Sequence, residues 1–211
     1  MKIAIIAATG KSGRMILKEA LRQGMDVTAI VRNPALLETE VPYLKREVFD
    51  ITREDIEPFD VIVSAFGNDD SNNRMQHVKV IQHYLTILKN TQKRLITVGA
   101  AGLLFTDDTR TKKLYDTFMM KSAGLRKGAL ILEQAYLTLK EGQGLHWTYM
   151  APAIDYSYNG ARTGKYQTGA DIVLKNSKGK SVISYADYAL ALVDEIRNAQ
   201  YLDTVFTVAG V

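Results

Sequence analysis

Residues Ala7-Ala8-Thr9-Gly10-Lys11-Ser12-Gly13 follow a run of apolar, mostly β-branched residues, Ile3 to Ile6, and open into an amphipathic segment. A buried strand, a tight turn and a helix start are expected in that order, with backbone N–H groups at the helix start ready for an anion. The spacing is a variant of the glycine fingerprint that seats a dinucleotide pyrophosphate on a helix N-terminus. Gly10 lets N–H groups approach the phosphates, and Gly13 lets the helix pack closely on the strand. Ala7 stands where the first glycine is expected; alanine is the mildest replacement, but it narrows the turn. A bare structural turn is the alternative, and the flanking strand and helix favour the ligand.

Further candidates follow along the chain. The residue just past the second strand of such a unit meets the adenosine ribose, where an acid accepts from the 2′-hydroxyl and an arginine accommodates a 2′-phosphate. Arg32 occupies that place, followed by Asn33-Pro34 with no acid nearby in sequence, and Lys11 and Arg14 add charge in the turn. NADP is expected over NAD, the alternative being an ordinary exposed arginine. Asp50 is placed to accept from the adenine amine or to cap the turn at Ile51-Thr52. The fourth strand ends in Ser64-Ala65-Phe66-Gly67, where the small residues let ribose and pyrophosphate lie close to the backbone. Gly99-Ala100-Ala101-Gly102 should face the nicotinamide, and Pro152, ahead of Ala153 and Ile154, can shape a wall against its ring. His77 and His83 are six apart on one helix, without the three- or four-residue step of metal ligands, and no metal is expected.

The elements that must position these residues alternate. Strands are expected at Ile3 to Ile6, Asp26 to Val31, Tyr43 to Phe49, Asp60 to Ala65, Arg94 to Val98, His146 to Met150 and Thr204 to Val208. Helices are expected from about Ser12 to Gln23, Asn73 to Asn90 and Leu114 to Lys140, the last broken near Gly124 or Gly128. Leu103 to Thr111 is a polar loop suited to covering a substrate. Residues 156–184 carry short β runs between glycines and read as a small hairpin subregion on the substrate side. Ser184-Tyr185-Ala186-Asp187 resembles a capping box that starts a last helix, to about Asn198. This pattern is α/β, a Rossmann-like doubly wound parallel sheet, and 211 residues suit one domain.

Composition narrows the function classes. With no cysteine, disulfides, thiolate catalysis and cysteine metal sites are excluded. The net charge of +4, from 27 basic and 23 acidic residues, is scattered without the concentrated patch that nucleic acid needs. The N-terminal apolar run is too short for a membrane span and lacks the features of a signal peptide. A cytoplasmic protein, monomeric or homodimeric, without a nucleic-acid or membrane partner, is expected.

Ala7 to Gly13, Val31-Arg32-Asn33-Pro34, Val98 to Gly102, His146 to Ala153 and Ile183 to Ala189 together resemble an atypical short-chain dehydrogenase/reductase. More narrowly, the chain resembles the NAD(P)H-binding, NmrA-like group of biliverdin IXβ/flavin reductases and small bacterial proteins named as NADH-flavin reductases. The resemblance implies that Thr9, Gly10, Lys11, Ser12, Gly13, Arg14 and Arg32 hold the phosphates. It implies that Asp50, Ala65, Phe66 and Gly67 flank adenine and ribose, and that Gly99, Ala100 and Ala101 with Pro152, Ala153 and Ile154 border the nicotinamide.

Short-chain dehydrogenases usually pair a tyrosine with a lysine four residues on, so that the phenol can deliver a proton. Tyr136 and Lys140 have that spacing but end just before the sixth strand, at the far end of the helix from the crevice. Tyr115 and Lys121 lie nearer but six apart; Lys121 could reach the nicotinamide ribose and Tyr115 could line the acceptor pocket. Without a matched pair, the expected activity is NADPH-dependent hydride transfer to a planar acceptor such as a flavin or quinone, with solvent supplying the proton. The alternative is a non-catalytic NADP(H)-sensing regulatory protein.

Overall fold

The computed structural model describes residues 1–68, 74–117 and 122–211. The chain opens with β1 (Lys2–Ile6), α1 (Lys11–Arg22) and β2 (Asp26–Val31), one parallel β-α-β unit in which Ile3 sits opposite Val27. β3 (Tyr43–Lys45), a capped turn of helix α2 (Arg53–Ile56) and β4 (Val61–Ser64) follow, β4 lying on the other side of β1 with Ile3 opposite Val61. Then come α3 (Gln76–Leu88), β5 (Arg94–Val98), α4 (Ala123–Leu139) and β6 (His146–Pro152). The chain closes with β7 (Asp155–Ser157), β8 (Gln167–Gly169), β9 (Val182–Ser184), α5 (Tyr185–Asn198) and β10 (Thr204–Ala209).

The main sheet has eight strands in the order β3-β2-β1-β4-β5-β6-β10-β8, parallel except for the antiparallel edge strand β8. Side chains alternate along β1, so Ile3 and Ile5 bury against one helical layer while Ala4 and Ile6 bury against the other. The first layer contributes Ile16 and Ala20 of α1 with Leu192 and Val193 of α5; the second contributes Ile81 and Leu88 of α3 with Ile131 and Leu139 of α4. Each fully buried Ile or Leu contributes about 1.5–3 kcal/mol, which is why the β-branched runs settle as central strands. The strand order turns back between β1 and β4, and in such sheets the crevice at that switch point, beyond the strands' carboxyl ends, takes the ligand.

One ion pair ties the sheet to its helical cover. Arg94 on β5 and Glu195 on α5 are both buried and meet directly, and Arg94 also donates to Thr148 Oγ1 at 3.0 Å. Glu195 further accepts from the backbone N–H groups of Gln200 and Tyr201, so its charge is shared among several donors.

Several expected elements take a different form. The third strand ends at Lys45, and a 3-10 turn at Val48–Asp50 replaces the rest. The region expected to be a helix from Leu114 holds a 3-10 turn, Leu114–Asp116; α4 begins only at Ala123, where Ser122 Oγ accepts from Leu125 N, and it runs through Gly124 and Gly128 unbroken. The subregion at 155–184 pairs differently from a hairpin: β7 and β9 run parallel, while β8 adds antiparallel to β10. The Ser184 cap forms, its Oγ accepting from Asp187 N at 3.0 Å. The Asp187 carboxylate does not close the box; it accepts from Thr163 N and Gly164 N at 2.9–3.0 Å and from Thr163 Oγ1 at 2.8 Å, holding the 163–164 turn against the start of α5.

Candidate functional site

The turn after β1 is as tight as its sequence suggests. A Cβ on Gly13 would lie 2.2 Å from the Ala7 carbonyl oxygen and 2.9 Å from Ala8 Cα, so only glycine lets α1 start this close to β1. Ala7 itself has φ +59°, a left-handed conformation that costs a non-glycine residue about 1 kcal/mol. Alanine in place of the expected glycine is thus accommodated as local strain. Gly10 caps α1 without a side-chain bond, and the first turn of α1 carries no acid. The N–H groups of Lys11, Ser12 and Gly13 are left for a ligand, at the end of the helix dipole that favours an anion.

At the carboxyl ends of β2 and β3 a shallow depression of 430 Å³ is lined by Arg32, Lys45, Arg46, Glu47, Asp50 and Thr52. Arg32 is mostly exposed, 3.9 Å from Glu47 Oε2. Arg14 reaches from α1 to the Thr9 carbonyl oxygen at 3.1 Å and to Glu38, while its buried Nε has no hydrogen-bond partner. The arginines expected to meet a 2′-phosphate are therefore each beside a carboxylate that sequence proximity did not reveal.

A second cleft of 430 Å³ lies beyond the ends of β4, β5 and β6. It brings together Ser12 of the glycine turn with Ala65, Phe66, Gly67, Gly99, Ala100, Ala101, Pro152, Ala153 and Ile154, the residues expected around ribose and nicotinamide. The turn and the edges of three strands thus share one crevice, as a dinucleotide running from β2 to β6 requires. The donor set and the space fit that group.

Among the described residues, the proton-donor candidates stand apart from this cleft. Tyr115 sits on the 3-10 turn at 114–116 with Lys113 over its ring, and it is not among the side chains lining the cleft. Burial, with Glu133 beside its hydroxyl, pushes its pKa up to about 12. Lys121 lies outside the described residues. Tyr136 packs edge-on against Trp147 and Tyr149 with the Lys140 ammonium over its ring, a core contact with a surface lysine.

Other residues line the cleft that sequence reasoning had not singled out. Tyr156 on β7 stacks on Tyr185, with ring centroids 3.7 Å apart and planes within 1°, and its hydroxyl lies 3.1 Å from Ser12 Oγ. Burial raises the Tyr156 pKa far enough that the phenol stays protonated across the physiological range. Arg74, just before α3, also faces this space, and so does His77 on α3, which sequence reasoning had weighed only as a metal ligand and set aside. The recurring tyrosines of 156–188 are a signal visible in sequence, but the pairing of β7 with β9 that stacks them is not.

Comparison with known proteins places this geometry. The sequence profile of the NAD(P)H-binding family matches residues 7–199. The chain is 42% identical over 212 residues to the uncharacterized protein YwnB of Bacillus subtilis strain 168, covering all of this chain and 99% of that one. Among solved structures it is similar to SP1627, a putative NADH-flavin reductase from Streptococcus pneumoniae TIGR4, with 36% identity, a TM-score of 0.94 and full coverage of both chains. The fold is shared by ChuY, an anaerobilin reductase from Escherichia coli O157:H7, at 21% identity and a TM-score of 0.68, covering all of this chain and 97% of that one.

Proposed function

The chain belongs to the NAD(P)H-binding family, and we propose that it is an NADPH-dependent reductase that passes hydride to a planar acceptor such as a flavin or quinone. The observation that carries this reading is the cleft at the ends of β4, β5 and β6, whose floor of glycine and alanine leaves room for a flat ring and whose described lining holds no lysine to pair with a tyrosine. The name of the similar protein SP1627 supports the same activity class.

The residues divide the work of binding. The N–H groups of Lys11, Ser12 and Gly13 hold the pyrophosphate, Arg14 and Arg32 the 2′-phosphate, and Asp50 the adenine amine. Ala65, Phe66 and Gly67 flank the ribose, while Gly99, Ala100, Ala101, Pro152, Ala153 and Ile154 fix the nicotinamide against the sheet edge and exclude water. NADPH, when bound, supplies hydride, and a flavin or quinone takes it up with one proton from solvent. No side chain needs to hold that proton, which fits a lining whose described residues hold no tyrosine–lysine pair.

The test is NADPH oxidation at 340 nm with FMN, riboflavin and a quinone, alongside fluorescence titrations with NADPH and NADH. Turnover above the uncatalysed rate, reduced with NADPH in Arg32→Glu, supports both the reductase and the cofactor preference. Tight NADPH binding with no turnover on any acceptor refutes the reductase and identifies a cofactor sensor. Failure to bind either nucleotide refutes the site itself.

A further inference from the structure

Arg74 lines the cleft and is held there by its neighbours. Its Nη1 donates to the Gly124 carbonyl oxygen at 2.9 Å, and it lies where a Cβ on Gly128 would come within 1.9 Å, so the bare backbone of α4 makes the room for the guanidinium. Arg74 and His77 are the basic side chains among the described lining residues, and no aspartate or glutamate is among them. Asp69 and Asp70 lie outside the described residues. Neither α3 nor α4 carries an acid in its first turn, and the guanidinium stands at the end of α4 where the helix dipole favours an anion over a cation. A half-buried cation facing a space whose described lining is partly aromatic and carries no acid is an arrangement that a bound anion stabilises.

We propose that this cleft selects acceptors in which a planar redox ring carries an anionic arm, a phosphate or a carboxylate, and that Arg74 holds the arm. The proposal rests on the reductase reading for the choice of acceptor ring. FMN, 10-carboxymethylflavin and riboflavin share one isoalloxazine ring and differ in the arm, so the comparison isolates charge from redox chemistry. A charge-assisted bond of this kind makes an anionic flavin bind about ten- to a hundredfold more tightly than riboflavin.

The experiment is titration of the three flavins by quenching of their fluorescence, on the full chain with NADP⁺ present, so that no turnover is needed. The wild type should bind FMN, 10-carboxymethylflavin or both about ten- to a hundredfold more tightly than riboflavin. That ratio should fall toward one in Arg74→Met and recover in part in Arg74→Lys. Gly128→Ala, which displaces the flexible end of Arg74 and leaves its charge, should also reduce the ratio. Equal affinity for charged and neutral flavins, a ratio unchanged in Arg74→Met, or no flavin binding overturns the proposal. Charge-selective binding without NADPH oxidation leaves the anion site standing and sinks the reductase reading.

Discussion

Replacing Gly13 by alanine tests the phosphate turn at its tightest point. The new methyl group would sit 2.2 Å from the Ala7 carbonyl oxygen and 2.9 Å from both the Ala7 carbonyl carbon and Ala8 Cα. These are backbone atoms, which cannot swing aside, so either the turn opens or α1 moves off β1. Overpacking of this kind costs about 1–3 kcal/mol. At about 2–4 °C per kcal/mol for a domain of this size, the expected fall in Tm is about 2–12 °C. Because the same movement turns the N–H groups of Lys11, Ser12 and Gly13 away from the pyrophosphate, NADPH affinity should fall at least about tenfold, a loss of about 1.4 kcal/mol. Ala7→Gly acts in the opposite sense: relief of φ +59° contributes about 1 kcal/mol, offset in part by the freedom glycine gains when unfolded. The two positions touch, so their effects should not add, and the double variant should recover part of the lost stability. Thermal melts of the four proteins by circular dichroism, with and without NADPH, and NADPH titrations decide the matter. A Gly13→Ala protein that melts within about 1 °C of the parent and binds NADPH equally well would show that the turn has room for the methyl group.

Three further outcomes are expected. Glu38→Gln frees Arg14 from its ion pair and should tighten NADPH several-fold with little effect on NADH, read by fluorescence titration. The Arg22 guanidinium, helped by Gln23 and Arg162, holds the buried Glu19 carboxyl at about 2 against an ordinary 4.5. The folded value lies below the unfolded one, so the stabilisation is full above about pH 4.5 and is lost as the pH falls toward 2. Glu19→Gln should therefore cost about 2–3 kcal/mol at pH 7 and flatten the acid limb of the stability profile measured by urea unfolding. Arg94→Met leaves Glu195 charged and buried without its partner, and should lower stability by about 3–5 kcal/mol in the same assay.

The parts of the fold legible in the sequence are those whose pattern is local. Asp26–Val31 and Arg94–Val98 are short runs dominated by apolar and β-branched residues, each opening on a charged one, and both strands form with those limits. The 7–13 turn is local too, because a glycine three residues after another, between a strand and a helix, constrains only its immediate neighbours. What the sequence hid depends on contacts between distant segments. Glu47 and Glu38 approach Arg32 and Arg14 because the chain doubles back after β2, so the absence of a nearby acid in sequence did not describe the space around either arginine. β7 and β9 are three residues each, too short for a period to declare a pairing partner, and their parallel register is set by where β6 and α5 place their ends. Arg74 carried no signal beyond its charge; its meaning depends on Gly128, 54 positions away, whose missing side chain makes its space.

The proposed reaction is direct transfer of hydride from a nicotinamide that the residues at the ends of β4, β5 and β6 would hold against the edge of the sheet. It is tested most directly by supplying the protein with (4R)- and (4S)-[4-²H]NADPH and FMN and taking the mass spectrum of the NADP⁺ formed. Deuterium should be lost completely from one epimer and retained from the other, at a rate above the reaction of NADPH with FMN alone. Equal loss from both epimers, or tight NADPH binding with no NADP⁺ formed, would contradict it.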